Sequence, residues 1–187
     1  MIDLSIKGLP NSIEVAGKSF LINTDFREWL KVDKILKKKD YNLMDIAFVI
    51  QNITALDLIK NSQEFITKIV EFYVNPNSTP NVSDSSGDIV VDYEEDGEYI
   101  YASFLQAYGT DLTECDLHWH KFLALFRSLP EDTMIVKIMG YRGYKKENKK
   151  NPYEEYKRIW ALNSQKQLDE NTQKELEELF YGSIQGR

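Results

Sequence analysis

One cysteine, two histidines, five prolines and nine glycines occur in 187 residues, and each shortage excludes a class of chemistry. Cys115 alone closes no internal disulfide, and with His118 and His120 it falls short of a zinc site unless carboxylates complete the set. The chain therefore suits a reducing compartment. A glycine-rich phosphate loop is missing as well: Gly140-Tyr141-Arg142-Gly143 is the nearest cluster, and it has neither the Walker lysine nor dinucleotide spacing. Long apolar runs are absent. The most apolar neighbourhood, from Ile46 to Leu58, is broken by Gln51, Asn52, Thr54 and Asp57, too soon to span a bilayer. Met1-Ile2-Asp3-Leu4 lacks the basic region and apolar stretch of a signal peptide, so the cytoplasm is the expected location.

What is present is globular in proportion, with 42% hydrophobic and 28% charged residues. A chain of this length buries about 70% of the surface its unfolded form exposes, enough for one domain. The organisation expected is a single domain over 1–187, subdivided into a hairpin plus helices over 1–74, a flexible acidic linker over 75–90, a helical core over 91–145 and peripheral C-terminal helices over 146–187. The fold class expected is mainly α, an antiparallel helical bundle carrying a small N-terminal β-hairpin.

The elements follow from periodicity. Ser12-Ile13-Glu14-Val15 and Ser19-Phe20-Leu21-Ile22 flank Ala16-Gly17-Lys18, where Gly17 can take the positive φ of a tight turn. Asn23, Thr24 and Asp25 offer N-cap oxygens to a helix carrying Phe26, Trp29, Leu30 and Leu36, which ends near Asp40 after the Lys37-Lys38-Lys39 run. Two more helical patterns follow, one with Leu43, Ile46, Ala47, Ile50 and Ile53, the other with Leu58, Phe65, Ile66, Ile69, Val70 and Tyr73. From Asn75 to Asp88 almost nothing can bury, so a loop is expected to divide two helical halves.

Beyond it the pattern predicts a helix from Tyr93 to Tyr108 with Gly109 at its C-cap, then one from Thr113 to Ser128 burying Leu117, Phe122, Leu125 and Phe126, with Trp119 near the core margin. Pro130 is expected to open a helix bearing Met134, Ile135, Ile138 and Met139. Asn151, Pro152 and Glu154 mark another start, with Tyr156, Ile159 and Trp160 as its apolar stripe. A last helix from Asp169 to Tyr181 has only Leu176, Leu179 and Phe180 to bury.

The net charge is −7. Asp84, Asp88, Asp92, Glu94, Glu95, Asp96 and Glu98 lie together without a base, and removing these seven leaves acids and bases equal. Such a field opposes adhesion to nucleic acid and to anionic membrane, so neither is an expected partner. Asp92, Glu94, Asp96 and Gly97 match the first half of an EF-hand loop, but its twelfth position is Ser103, which excludes calcium. Cys115 and His118 share a helical face at i, i+3, whereas His118 and His120 on one helix diverge by about 160°, which argues against a metal or Cys-His site. No catalytic residue, metal or cofactor is expected, and the chain is not read as an enzyme. Arg142, Lys145, Lys146, Lys149 and Lys150, with Tyr141 and Tyr144 between them, read as a solvated basic connector. With the acidic segment about fifty residues before it, this patch could support head-to-tail self-association.

Several stretches carry a family resemblance: Leu9-Pro10, Glu14-Val15, Gly17-Lys18, Ile22-Asn23-Thr24-Asp25-Phe26-Arg27, Asp92-Tyr93-Glu94-Glu95-Asp96, Ala102-Ser103-Phe104-Leu105-Gln106, Tyr108-Gly109, Asp111-Leu112-Thr113, Leu117-His118-Trp119 and Leu129-Pro130-Glu131-Asp132-Thr133. Together they resemble the bacteriophage gene product fifteen (Gp15) family of tailed phages and prophages of Gram-positive bacteria. The family often has a second tryptophan where this chain has His120. The resemblance implies a tail assembly chaperone that binds and solubilises the tape-measure protein in the host cytoplasm and is absent from the mature virion. The resemblance carries over no functional residues; for such a role the partner surface is expected at exposed aromatic and acidic positions of the second half, Tyr93, Glu94, Glu95, Asp96, Tyr101 and Trp119. Two rival functions stand beside it: a structural component of the virion tail, and an acidic inhibitor aimed at a host enzyme, against which the clustering of the acids counts.

Overall fold

The computed structural model describes residues 5, 7–38, 40–75, 89–145, 152–166 and 170. They are mainly helical, with one two-stranded antiparallel hairpin near the N-terminus. Two compact units are formed, one from the described residues up to 75 together with Ile100–Pro130, the other from 89–99 and the described residues after Pro130. The expected last helix over 169–181, the linker residues 76–88, the N-cap Asn151 and Lys146, Lys149 and Lys150 lie outside the described residues.

In the first unit, β1 (Ser12–Val15) pairs with β2 (Lys18–Leu21), placing Val15 opposite Lys18. Only Ala16 and Gly17 join them, at φ +49° and +73°. Positive φ at both central residues turns the chain with the twist of the strands, and glycine takes it without steric cost. The strands alternate, sending Ile13, Val15 and Phe20 inward, and Phe20 meets Phe65 edge-on at 5.0 Å.

Helix α1 (Phe26–Leu36) starts where its cap chemistry dictates: the Asp25 carboxylate accepts from the Arg27 amide at 2.8 Å. It stops at Leu36, four residues before the expected Asp40, because Lys37 takes the C-cap and its ammonium reaches Asp33 at 2.7 Å. Phe26, Trp29 and Val32 form the buried stripe. Asp33 is also buried, held by Lys37 and by the Tyr73 hydroxyl.

The single helix expected from Leu43 to Ile53 is not formed. Helix α2 (Leu43–Ile46) has a capping box between Asn42 and Asp45, and Ala47–Val49 is one tight 3₁₀ turn. Ile50 then runs extended as a bridge partner of Ile22, and the Asn23 and Gln51 amides donate to Val49 and Leu21 carbonyls at 2.7 and 2.8 Å. Those backbone groups are bonded across chains of residues and are lost to helix formation. Helix α3 (Ala55–Val74) starts from the Thr54/Asp57 capping box, bends at Asn61 and buries Leu58, Phe65, Ile69 and Phe72.

Helix α4 (Gly97–Tyr108) is shorter than the expected Tyr93–Tyr108, and Gly109 follows it at φ +63°. Helix α5 (Trp119–Arg127) is likewise shorter than the expected Thr113–Ser128. The cause is again a bridge: the Phe26 amide donates to the Leu117 carbonyl at 2.9 Å and the Trp119 amide to Thr24 at 2.7 Å. Arg27 adds bonds to the Leu112 and Cys115 carbonyls at 2.9 and 3.0 Å. Trp119, expected at the core margin, is 1% exposed. It stacks on Tyr73 at 5.5 Å and lies near-parallel to Trp29 at 6.4 Å, with its indole N–H donating to the Tyr73 carbonyl. Phe122 lies between Phe26 and Phe104, near-parallel to both at 4.9 and 5.3 Å.

In the second unit, α6 (Met134–Arg142) begins at Thr133 rather than Pro130 and buries Ile135 and Ile138, while Met134 faces outward. Helix α7 (Pro152–Ile159) buries none of its residues; Tyr156 and Ile159, expected to pack, are exposed, and Leu162 beyond its end is buried instead.

The turn at Ala16 supplies a test. An Ala side chain at φ +49° is strained, whereas Asn accepts that conformation and Asn-Gly is the preferred pair for such turns. Ala16→Asn is expected to stabilise the protein by about 0.5–1 kcal/mol, read as a rise of a few degrees in the thermal midpoint.

Candidate functional site

The acidic residues singled out from the sequence form a turn in the second unit. One Asp92 carboxylate oxygen accepts from the Glu94 and Glu95 amides at 2.9 and 3.1 Å, and the Asp96 carboxylate returns to accept from the Asp92 amide at 2.9 Å. Short carboxylates that bond their own backbone favour such a turn over an early helix start, which is why α4 begins only at Gly97.

Asp96 is 1% exposed and Arg142 5%. The two form a bidentate pair at 2.6 and 2.9 Å, and the guanidinium also donates to the Val90 carbonyl at 3.1 Å and to the Trp160 carbonyl at 2.6 Å. One planar donor set thus ties the segment before α4, α6 and the residue after α7 together, as only arginine's fork geometry allows. Around it, the Asn163 amide donates to Glu95 at 3.0 Å, Gln165 donates to the Ile89 carbonyl at 3.1 Å, and Tyr99 meets Trp160 edge-on at 5.5 Å. Sequence pattern puts Arg142 in a solvated basic connector; its burial and its charge partner make it part of the core instead. The signal was available, since Ile135, Ile138 and Arg142 fall on one helical stripe.

Of the six residues expected at a partner surface, Glu94 and Glu95 are exposed and Tyr93 and Tyr101 half-buried. Asp96 and Trp119 are interior. Tyr101 reaches Asp111 at 3.3 Å, and that neighbouring carboxylate raises the phenol above its ordinary range.

Tyrosines gather elsewhere in the second unit. Tyr141 stacks on Tyr156 at 4.8 Å and meets Tyr153 at 5.5 Å, while Tyr144 lies against Tyr153 at 5.5 Å. Tyr153, Tyr156 and Ile159 are 45%, 42% and 52% exposed. They form an aromatic and aliphatic ridge along α7, a chemistry typical of interface centres. Lys157 braces it by donating to the Tyr144 carbonyl at 3.1 Å.

The histidines differ from the helical projection. His118 is not helical but caps α5, its Nδ1 accepting from the His120 amide at 3.0 Å. The rings are 5.2 Å apart rather than on opposite faces. With Nδ1 accepting, the His118 proton resides on Nε2 and is donated to the Pro10 carbonyl at 3.0 Å. His120 is buried, stacked on Phe72 at 4.3 Å, and its Nε2 bonds the Phe72 carbonyl at 2.9 Å. Burial lowers both, His120 to about 4. Burial also raises the Cys115 thiol, keeping it protonated near neutrality. Among the described residues no three His, Cys, Asp or Glu side chains are grouped to hold a metal, and no helix is long and apolar enough to cross a membrane.

A family model described as Bacteriophage Gp15 protein matches residues 6–168. The chain belongs to that family. No curated protein and no solved structure is detectably similar to it. The match spans the bridge that seats Trp119, the Asp96–Arg142 pair and the α7 ridge, so the elements described above are those of a Gp15-family phage protein.

Two measurements follow from this geometry. Asp96→Asn or Arg142→Met alone leaves a buried partner unpaired and is expected to cost about 3–5 kcal/mol, read from guanidinium chloride unfolding. Asp96→Leu with Arg142→Met, which buries no charge, is expected to recover part of it, since the Val90 and Trp160 carbonyls and the Asp92 amide still lose their partners. His120 has a folded pKa below its unfolded 6.5. Its neutral form therefore stabilises the fold fully above pH 6.5, and that contribution is lost as pH falls toward about 4. The loss is on the order of 3 kcal/mol. The slope in stability is expected to shrink by that amount in His120→Phe, leaving the part due to His118, whose pKa burial also lowers.

Proposed function

We propose that this Gp15-family protein is a tail assembly chaperone, which binds the phage tape-measure protein and keeps it soluble until tube subunits replace it. The observation that carries the reading is the exposed ridge Tyr153, Tyr156 and Ile159 on α7. Tape-measure chains are long and helical, and an aromatic ridge offers such helices an apolar seat that packs well yet releases. Aromatic contacts of this kind were expected in the second half of the chain; the ridge replaces the interior Trp119 as their centre.

The acidic turn gives the surface its selectivity. Glu94 and Glu95 stand exposed at the protein's most negative segment, and they would favour tape-measure segments with basic flanks and repel acidic ones. Charge contacts of this type speed encounter and screen readily with salt, which suits a partner that must be displaced. On this reading the protein works in the host cytoplasm and leaves before the virion matures, and any head-to-tail contact between copies is weak.

Co-expression with the tape-measure protein of the same phage tests the proposal. Soluble tape measure that co-purifies with this chain is the expected result, as is absence of the chain from purified particles by mass spectrometry. Ile159→Ser, at a position 52% exposed, is expected to weaken the complex by about 1–2 kcal/mol while leaving the melting of the free protein close to wild type. Stoichiometric retention in particles would instead identify a virion component.

A further inference from the structure

We draw no further inference here: the strongest candidate, the open apolar hollow along the C-terminal half of α3 lined by Ile66, Thr67, Val70, Glu71 and Val74, is an unpartnered helix face, and nothing in the structure shows what covers it.

Discussion

The first unit depends on a two-bond backbone bridge. The Phe26 amide bonds to the Leu117 carbonyl and the Trp119 amide to Thr24, and three things follow within a few residues. Asp25 is held where its carboxylate caps α1, His118 is held where its imidazole caps α5, and Trp119 enters the space between Trp29 and Tyr73. Neither helix could keep its position without the other, because each begins at the strand-like segment that pairs with its neighbour's. Arg27 reinforces this by reaching the Leu112 and Cys115 carbonyls, so an α1 side chain supports the non-helical approach to α5.

Local chemistry was readable and distant pairing was not. The hairpin, the Asp25 cap, the long α3 and the glycine after α4 all rest on interactions among residues close in sequence, and they stand where spacing and turn residues put them. The errors share a cause. Ile50, Leu117 and His118 sit in stretches with good helical periodicity, but their backbone groups are engaged by residues from far along the chain, and a sequence pattern holds no record of that competition. Tertiary hydrogen bonding overrode helical preference at each. Trp119 and His120 were misplaced for the same reason, since a helix starting six residues late presents different faces.

Charge misled differently. Asp96 belongs to an acidic cluster and Arg142 to a basic one, and both clusters resemble solvated surface. What separates these two from their neighbours is position: Arg142 continues the Ile135–Ile138 stripe, and Asp96 closes a turn immediately before a helix. Their fourfold-bonded union organises a unit whose helices are short and whose α7 buries none of its own residues. That helix packs through the Tyr141–Tyr156 and Tyr144–Tyr153 ring contacts and is tied by Arg142's bond to the Trp160 carbonyl, yet Tyr153, Tyr156 and Ile159 keep 45%, 42% and 52% exposure. The anchoring ion pair and the exposed ridge are two sides of one arrangement.

The bridge at Trp119 also sets an order of events during synthesis. Helical proteins fold fast when their contacts are local, but here the hairpin, α1 and α3 leave the ribosome long before the segment that completes their core. His118 reaches Pro10 across 108 positions, and Trp119 reaches Tyr73 across 46. Until α5 emerges, the faces of Trp29, Phe72 and Tyr73 that will receive Trp119 and His120 stay uncovered, and the nascent chain carries an open aromatic slot of the kind that drives misassembly. The contacts that complete the core of the first unit therefore form only once α5 is available.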